Sequence, residues 1–350
     1  MDLRADTGLR MHGGTDADGV PRWDFSTCSN AAGPCPEALA AVQGADPTRY
    51  PDPAATAARR ALADLHEVEP WRVLPAASAS EFIQRITAVT GRLWPGAVAV
   101  PRHAYGDNAA AARAWGRDVI IEGSSEGGSE RGGDEGSEGG PVTLAWLADP
   151  SSPLGQDGAP PAHLGSSPTV LDAVYAPLRL LGSSAWPAEA LDAVFVLHSP
   201  NKALGLTGLR GAYAVAPRHA TWDVEACCRA LQAAAPSWPL SAHADVLLRS
   251  WSTAAAQAWV AGSRATLAGW KADLQRRLAA RGFELRPSST PYFLIRPPQA
   301  PAMSRLRAQG VAVRDAASFG LPGWWRVSAQ PPEAQDALMD ALDLIAEAGG

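Results

Sequence analysis

Three short apolar runs in the middle of the chain each end in polar residues, and this pattern constrains the fold more than any other feature. The runs cover residues 142–148, 169–175 and 193–199. Strand patterns that alternate with helices predict a parallel sheet, in which ligands bind just beyond the carboxyl ends of the strands. The polar groups that we therefore expect at one crevice are Asp149–Gly155, Asp172 with Tyr175, and Ser199 with Lys202.

The flanking sequence supports the α/β class and suggests how the chain is divided. Helical and strand patterns alternate before residue 123, and a compact α+β pattern follows residue 282. A long helical pattern over residues 240–280 has a predicted break near Gly262. The predicted units are an N-terminal segment that joins the small domain (1–45), a large domain (46–262) and a small C-terminal α+β domain (263–350). Residues 123–140 lack any apolar side chain, which predicts a disordered surface insertion.

Composition narrows the possible partners. The formal net charge is −6, which gives no reason to expect a nucleic acid. No apolar run reaches the roughly 20 residues that span a bilayer, so no membrane partner is expected. The first residues lack the pattern of a secretion signal. The four cysteines match no zinc spacing, so we predict no metal site and a reducing, cytoplasmic location.

The chain has two lysines among 30 basic residues, and one of them lies in a stretch of small residues and glycines. That stretch is Ser199-Pro-Asn-Lys202-Ala-Leu-Gly-Leu-Thr-Gly-Leu-Arg210. Arginine replaces lysine in most surface roles, but guanidinium stays protonated and cannot condense with a carbonyl. Lys202 is therefore a candidate imine former. The other lysine, Lys271, stands beside Asp273 and Arg276, which predicts a solvated side chain.

The Lys202 stretch resembles the cofactor-lysine motif of fold-type I pyridoxal-phosphate (PLP) enzymes, with Ser199 three residues before the lysine and Arg210 eight after it. Within these enzymes the chain resembles the histidinol-phosphate aminotransferase and threonine-phosphate decarboxylase branch, over nearly its whole length and in the right order. The resemblance implies an α/β fold of the PLP-dependent transferase type. Its large domain would have three layers around a mostly parallel sheet, with a small α+β domain beside it.

The resemblance also implies roles in holding the cofactor. Lys202 would form the aldimine, Asp172 would face the pyridine nitrogen, and Tyr175 would donate to the phenolic oxygen. Asp172 has an alternative role as the cap of a turn at a strand end. The residues implied around the phosphate are Ala79, Ser80, Ser199, Arg210 and, from the partner subunit, Tyr50, so the active form would be a homodimer. Tyr105 would stack on the ring, with His103 as a nearby competitor.

Two departures from the family pattern stand out. Ser152 occupies the place where the family usually has an asparagine that bonds the phenolic oxygen; its shorter side chain could still donate, through a water if needed. Ala76 and Ala77 precede the phosphate loop, where the family often has glycine and asparagine.

The resemblance places three residues at the substrate, an amino acid. Arg326 would clamp an α-carboxylate, and Asn30 would line the site. Arg314 would hold a substrate phosphate, with a structural salt bridge to Asp315 or elsewhere as the alternative.

These residues predict a PLP-dependent aminotransferase that acts on an amino acid, which could carry a phosphate, through an aldimine with Lys202. A threonine-phosphate decarboxylase of cobalamin synthesis is the alternative, because both share every site residue. His12-Gly-Gly and the residues after Arg314 resemble the decarboxylase. A PLP-binding protein with little catalysis is a third possibility, motivated by the two departures. A Rossmann dehydrogenase is disfavoured because no Gly-x-Gly-x-x-Gly follows an early strand.

Overall fold

The computed structural model describes residues 12–122, 140–299 and 303–347, and these form ten α-helices and thirteen β-strands. The helices are α1 (Pro36–Gln43), α2 (Thr56–His66), α3 (Ala79–Leu93), α4 (Gly106–Ala114), α5 (Ala188–Leu191), α6 (Val224–Ala233), α7 (Ala242–Trp251), α8 (Ala254–Ala279), α9 (Met303–Ala308) and α10 (Pro332–Glu347). The strands are β1 (Trp23–Asp24), β2 (Val73–Ala76), β3 (Ala97–Pro101), β4 (Val119–Glu122), β5 (Val142–Ala148), β6 (Thr169–Asp172), β7 (Phe195–His198), β8 (Ala212–Val215), β9 (Glu284–Leu285), β10 (Tyr292–Arg296), β11 (Val311–Ala312), β12 (Arg314–Asp315) and β13 (Trp325–Ser328).

A seven-stranded sheet forms the centre of the molecule, in the order β2-β8-β7-β6-β5-β3-β4. The strands β4, β3, β5, β6 and β7 run parallel, whereas β8 is antiparallel to both of its neighbours. The three apolar runs of the sequence supply the adjacent strands β5, β6 and β7. The predicted α/β class with a mostly parallel sheet is therefore confirmed.

Helices cover both faces of this sheet. On one face, α3, α4 and α6 pack over a buried cluster that includes Phe82, Trp146 and Phe195. On the other face, α2, α7 and α8 pack over a cluster that includes Leu62 and Tyr213. Burial on both faces explains why the central strands are apolar throughout rather than alternating.

Helix α3 shows how local sequence fixes a helix start near the carboxyl edge of the sheet. Ser78 is its N-cap, and the Ser78 hydroxyl accepts a hydrogen bond from the Glu81 backbone N–H at 3.0 Å. The buried stripe of the helix includes Phe82, Ile86 and Val89, spaced for one face. The cap and the buried stripe therefore fix the start of α3 against the sheet.

The C-terminal part of the chain forms a separate antiparallel sheet in the order β12-β13-β10-β9. Its core includes Phe293, Val327 and Leu338. The N-terminal strand β1 pairs in parallel with β11, where Trp23 lies opposite Val311. The first and last parts of the described chain are thus joined.

One prediction from the sequence differs from the structure, and another concerns residues that the structure does not describe. The long helical pattern after residue 240 breaks at Ser252–Thr253, where Thr253 caps α8, and not near Gly262. Helix α8 therefore runs unbroken past residue 262. The predicted insertion at 123–140 lies outside the described residues except for Gly140. Within the described ranges, no helix is long and apolar enough to cross a membrane.

Candidate active site

A cavity of about 750 Å³ opens at the carboxyl ends of β5, β6 and β7. Asp172 ends β6, Ser199 follows β7, and Ser152 lies in the loop after β5. The predicted site residues that line this cavity are Ala79, Ser80, Tyr105, Ser152, Asp172, Tyr175, Ser199, Lys202, Arg210, Arg314 and Arg326. Two predicted residues, Asn30 and Tyr50, do not line it.

Asn30 supports Lys202 from behind the cavity wall. Its backbone N–H donates to the Lys202 carbonyl at 2.9 Å, and its side-chain amide donates to the Ala203 carbonyl at 3.0 Å and to Ser263 Oγ at 2.8 Å. The expectation that Asn30 lines the site is therefore corrected, because its amide group is turned into the protein. The Lys202 loop also approaches the N-terminal segment closely: a Cβ on Gly205 would lie 2.5 Å from the Gly33 carbonyl oxygen.

Burial controls the ionisation of the central pair. Burial lowers the pKa of Lys202, the Asp172 carboxylate opposes this, and Arg210 and Arg326 lower it further. Burial raises the pKa of Asp172, while the Val174 N–H and the Lys202 amine lower it. The Val174 N–H donates to Asp172 Oδ1 at 3.0 Å, so the carboxylate also caps a turn, as the alternative role predicted. Lys202 is thereby primed to lose its proton more readily than a surface lysine.

Two tyrosines present hydroxyl groups to the same space. The Lys202 Nζ lies 5.7 Å from the ring centroid of Tyr175, and burial raises the pKa of Tyr175, so its hydroxyl remains a donor. The Tyr105 hydroxyl lies 3.3 Å from Ser80 Oγ. His103, the competitor of Tyr105, does not line this cavity; its Nδ1 lies 2.8 Å from the Phe319 carbonyl oxygen.

One end of the cavity suits an anion. The first turn of α3 presents Ala79 and Ser80 there, and helix N-termini offer free N–H groups with a favourable dipole. The Ser199 hydroxyl donates to Asn201 Oδ1 at 2.9 Å. Arg210 lines the same cavity with an exposed side chain. These groups combine backbone donors, a hydroxyl and a cation, which is the donor set that a phosphate group requires.

Tyr50 lies on the surface. It is 79% exposed and stacks on Trp238 with ring centroids 4.4 Å apart. Within its own subunit Tyr50 stays outside the cavity lining. Any contact that it makes with the cofactor phosphate therefore requires a second subunit.

At the other end of the cavity, Arg326 is 7% exposed and tightly held. Its Nη1 donates to Ser152 Oγ at 3.0 Å and its Nη2 donates to the Ser26 carbonyl at 3.2 Å. The rings of Tyr292 and Phe319 each lie 5.4 Å from the guanidinium carbon. A cation held by flat rings and fixed acceptors is pre-organised for a planar carboxylate.

Arg314 is a second buried cation in the cavity, at 5% exposure. Its Nη2 donates to Ser318 Oγ at 2.8 Å, and the Phe319 ring lies 5.1 Å from its guanidinium carbon. Burial lowers the pKa of Arg314, and Arg326 lowers it further. The N-terminal loop that contributes His12, Gly13, Gly14 and Thr15 lines the same cavity.

The structure adds residues that the sequence patterns missed. Asn201 and Thr207 line the cavity, and both stand inside the Lys202 motif, so their position beside the lysine was an available signal. Asp107 lines it from the first turn of α4. Cys28 lies behind Arg326 in a left-handed conformation, with φ of 59°, and burial raises the pKa of its thiol although Arg326 lowers it. No pattern in the sequence predicts a cysteine beside Arg326.

The expectation of a solvated Lys271 is wrong. The residue is 5% exposed, and its Nζ donates to the Ser288 carbonyl. Burial lowers the pKa of Lys271 to about 8. The neighbouring Asp273 bonds Arg276 and Arg277 instead. Both lysines of this chain are therefore desolvated.

The cavity residues fit PLP. The cofactor needs an amine for its aldehyde, a carboxylate for its ring nitrogen, a hydroxyl for its phenolic oxygen and a phosphate cradle. The Asp172 carboxylate is half-buried, accepts one backbone hydrogen bond at 3.0 Å and lines the cavity that holds Lys202, so it suits a cationic ring nitrogen. The residues that would hold the four groups are Lys202, Asp172, Tyr175 and the set around the α3 N-terminus.

Comparison with known proteins agrees with this geometry. The family model "Aminotransferase class I and II" matches residues 165–342, which is just over half of the chain and includes Asp172, Lys202 and Arg326. The chain belongs to the aminotransferase class I and II family. The predicted family, the predicted activity class of a PLP-dependent aminotransferase, and the predicted cofactor are thereby confirmed.

Relatives of this aminotransferase family member match along nearly its whole length. It is 26% identical to the histidinol-phosphate aminotransferase of Ruegeria pomeroyi, over 98% of this chain and 96% of the relative. It is 27% identical to histidinol-phosphate aminotransferase 1 of Thiobacillus denitrificans, over 92% and 85% of the two chains.

Solved structures share the fold at lower identity. The L-threonine-O-3-phosphate decarboxylase of Porphyromonas gingivalis superposes with a TM-score of 0.73 at 21% identity, covering 92% of this chain and 99% of that one. The histidinol-phosphate aminotransferase of Sinorhizobium meliloti, solved with pyridoxal-5′-phosphate, gives a TM-score of 0.72 at 19% identity, covering 99% and 94%. At these identities the likeness concerns the fold alone.

Proposed function

We propose that this aminotransferase acts on an amino substrate that also carries a phosphate group. The observation that carries this proposal is the pair of buried cations, Arg326 and Arg314, in the cavity that holds Lys202. Both guanidinium groups line this cavity, and a guanidinium group binds a carboxylate or a phosphate through charge-assisted hydrogen bonds. We propose Arg326 as the partner of an α-carboxylate and Arg314, beside Ser318, as the partner of the phosphate.

The cofactor supplies an electron sink for the bonds at the substrate Cα. Lys202 moves a proton at the Cα, because burial lowers the pKa of its amine and a neutral amine can accept and return a proton. The Asp172 carboxylate would hold positive charge at the ring nitrogen, and the Tyr175 hydroxyl would donate to the phenolic oxygen. Ser152, held by Arg326 at 3.0 Å, fixes the clamp on the carboxylate.

A specific observation favours the decarboxylase as a second candidate. The N-terminal loop with His12, Gly13 and Gly14 lines the cavity, with the His12 ring centroid 6.2 Å from that of Tyr105, and there it would enclose a compact phosphorylated substrate. The two reactions differ in which bond at the substrate Cα would break, the bond to hydrogen or the bond to the carboxylate. The same site residues serve both reactions.

The deciding experiment incubates the holoenzyme with histidinol phosphate, which carries the phosphate but no carboxylate, plus 2-oxoglutarate, which carries the α-carboxylate. A separate mixture contains O-phosphothreonine, which carries both groups. Glutamate formed from the first mixture supports transamination of a phosphorylated amine. Carbon dioxide released from the second without keto acid supports the decarboxylase. Turnover of neither, together with transamination of unphosphorylated amino acids, contradicts the phosphate proposal. No turnover of any amino donor favours a PLP-binding protein with little catalysis.

We further propose a homodimer in which Tyr50 reaches the cofactor phosphate of the partner subunit. This is supported by the exposed Tyr50–Trp238 stack, which presents a phenol outward from its own subunit. Light scattering measures the mass, and mixed dimers of Lys202→Ala and Tyr50→Phe subunits test the contribution across the interface. A monomer that binds PLP tightly contradicts the proposal.

We propose a cytoplasmic location. The four cysteines, at positions 28, 35, 227 and 228, are buried free thiols, as expected in a reducing compartment. Fractionation of the source cells with an antibody to the chain tests this, and recovery outside the cytoplasm contradicts it.

A further inference from the structure

Lys271 occupies a position where an apolar residue would be expected. The buried stripe of α8 comprises Ala256, Val260, Ser263, Leu267, Lys271, Leu274 and Leu278. The Nζ of Lys271 donates to the Ser288 carbonyl and lies 6.0 Å from the centroid of the Phe293 ring. Removing an ammonium from water is costly, and one carbonyl compensates for little of that cost. A leucine at this position would pack without that cost.

The segment that Lys271 holds is bonded to the loop after β5. The Ser289 N–H donates to the Gly155 carbonyl at 2.7 Å, and Ser289 Oγ donates to Asp157 Oδ1 at 2.7 Å. The Tyr292 hydroxyl donates to the Ser151 carbonyl at 2.8 Å. Gly155 packs so closely that a Cβ there would lie 2.1 Å from Ser288 Oγ. These contacts make residues 288–292 and 151–157 one unit.

This unit ends at the substrate side of the cavity. The loop carries Ser152, whose Oγ accepts from Arg326 at 3.0 Å. Tyr292 begins β10, and Leu294 on β10 lies opposite Arg326 on β13. A displacement of Ser288 would therefore shift Arg326 through two connections. One is the 151–157 loop, which carries Ser152, and the other is the pairing of β10 with β13.

We propose that Lys271 is a positioning residue for the carboxylate site: by holding the Ser288 carbonyl, it sets the placement of Ser152 against Arg326. This rests on the proposed carboxylate role of Arg326. The choice of lysine has a physical reason, since a guanidinium would bring five N–H donors to a place with one acceptor. The chain has two lysines among 30 basic residues. Arginine could replace neither, because Lys202 must form an imine and Lys271 meets a single acceptor.

The test compares Lys271→Met with Arg264→Met. Arg264 is an exposed residue on the same helix, and its Nε donates to the Pro177 carbonyl at 2.9 Å, so it is a matched control. Hydrogen exchange of the apo-protein measures the segments 149–158 and 286–292. Steady-state kinetics of the holoenzyme give KM and kcat for a substrate that carries an α-carboxylate, and titration gives the affinity for PLP.

Lys271→Met is expected to speed exchange in both segments and to raise KM about tenfold, the effect of losing one hydrogen bond from a charged donor. Little change is expected in kcat or PLP affinity, and Arg264→Met should change none of these quantities. Unchanged exchange in both segments overturns the proposal. Faster exchange with unchanged KM also overturns it.

Two further variants separate the possible failures. Ser289→Ala keeps Lys271 and removes the hydroxyl that bonds Asp157, so it should reproduce the rise in KM even if Lys271→Met folds poorly. An unchanged KM in Ser289→Ala overturns the route through the loop. Arg326→Gln tests the carboxylate role itself. If its KM is unchanged, that role fails, while exchange in Lys271→Met still decides whether Lys271 holds the segment.

Discussion

Asp172 and Lys202 face one cavity from neighbouring strand ends, and each favours the charged form of the other. The Lys202 amine lowers the pKa of Asp172, and the Asp172 carboxylate raises the pKa of Lys202. Burial works against both charges, raising the pKa of Asp172 and lowering that of Lys202. The pair therefore balances two desolvation costs by mutual attraction. A cationic ring nitrogen would take the place of the amine as the partner of Asp172 and leave Lys202 more readily deprotonated.

Asp172→Asn should keep the shape of the site and remove the charge. We expect kcat to fall about 100-fold, because a fixed group that stabilises charge in the transition state is lost. The affinity for PLP should also fall, as measured by titration of the visible absorption band. Asp118→Asn, at an exposed position before β4, is the control and should behave as the parent. Equal kcat in Asp172→Asn and the parent contradicts the role.

Lys202→Ala should abolish turnover and the visible band of the bound cofactor. Lys202→Arg should do the same, because guanidinium remains protonated and does not condense with the aldehyde. Absorption spectra of the three proteins with added PLP measure this. A band retained in Lys202→Arg would show that the cofactor is held by another amine and would contradict the role of Lys202.

Arg326→Lys should raise KM for a carboxylate substrate by about 100-fold, since a bidentate charge-assisted pair is replaced by a point charge. The hydrogen bonds to Ser152 and Ser26 would be weakened in the same variant. Arg305→Lys, an exposed change on α9, is the control. A KM that stays at the parent value in Arg326→Lys would remove this arginine from the substrate site.

Stability should fall with acid through a half-buried histidine pair. The His66 Nε2 lies 2.8 Å from the Tyr213 hydroxyl, and the rings of His66 and His198 lie 4.7 Å apart. Burial lowers the pKa of His66 from 6.5 to about 4 and that of His198 well below its usual range. Because the unfolded chain binds these protons first, stability is full above pH 6.5 and is lost as pH falls towards 4.

The measurement is the free energy of unfolding between pH 7 and 5. Each such histidine should contribute a slope of up to about 1.4 kcal/mol per pH unit. His66→Gln should reduce the slope, whereas His163→Gln, at an exposed site, should leave it unchanged. An identical slope in His66→Gln and the parent would exclude His66 as a source.

Gly155→Ala should destabilise the protein by about 1–3 kcal/mol, because φ is +65° and the new Cβ would collide with Ser288 Oγ. Gly269→Ala, on α8 with open space around it, should instead stabilise by about 0.5–1 kcal/mol. Urea unfolding of both variants measures the difference. A neutral Gly155→Ala would mean that the loop and the 288–292 segment separate easily.

Much of the site was predictable because its residues follow strands or sit in one short motif. Asp172 and Ser199 could be placed from the apolar runs before them, and Lys202 from its rarity and its glycines. Residues that follow neighbouring parallel strands meet at the carboxyl edge of the sheet, so their proximity does not depend on contacts elsewhere in the chain.

The rest depended on contacts between distant parts of the chain. Asn30 looked like a lining residue, yet its amide turns to Ala203 and Ser263. Lys271 has charged neighbours in sequence, but helix periodicity puts it on the buried stripe between Leu267 and Leu274. The left-handed Cys28 and the cavity role of the His12 loop also arise only in the folded chain.

The parallel pairing of β1 with β11 has a consequence for synthesis on the ribosome. Trp23 meets Val311, so the N-terminal wall of the cavity has no partner strand until most of the chain has emerged. Arg314 and Arg326 are made later than the Lys202 loop. The strands of the large sheet are therefore all synthesised before the residues that complete the substrate side of the cavity.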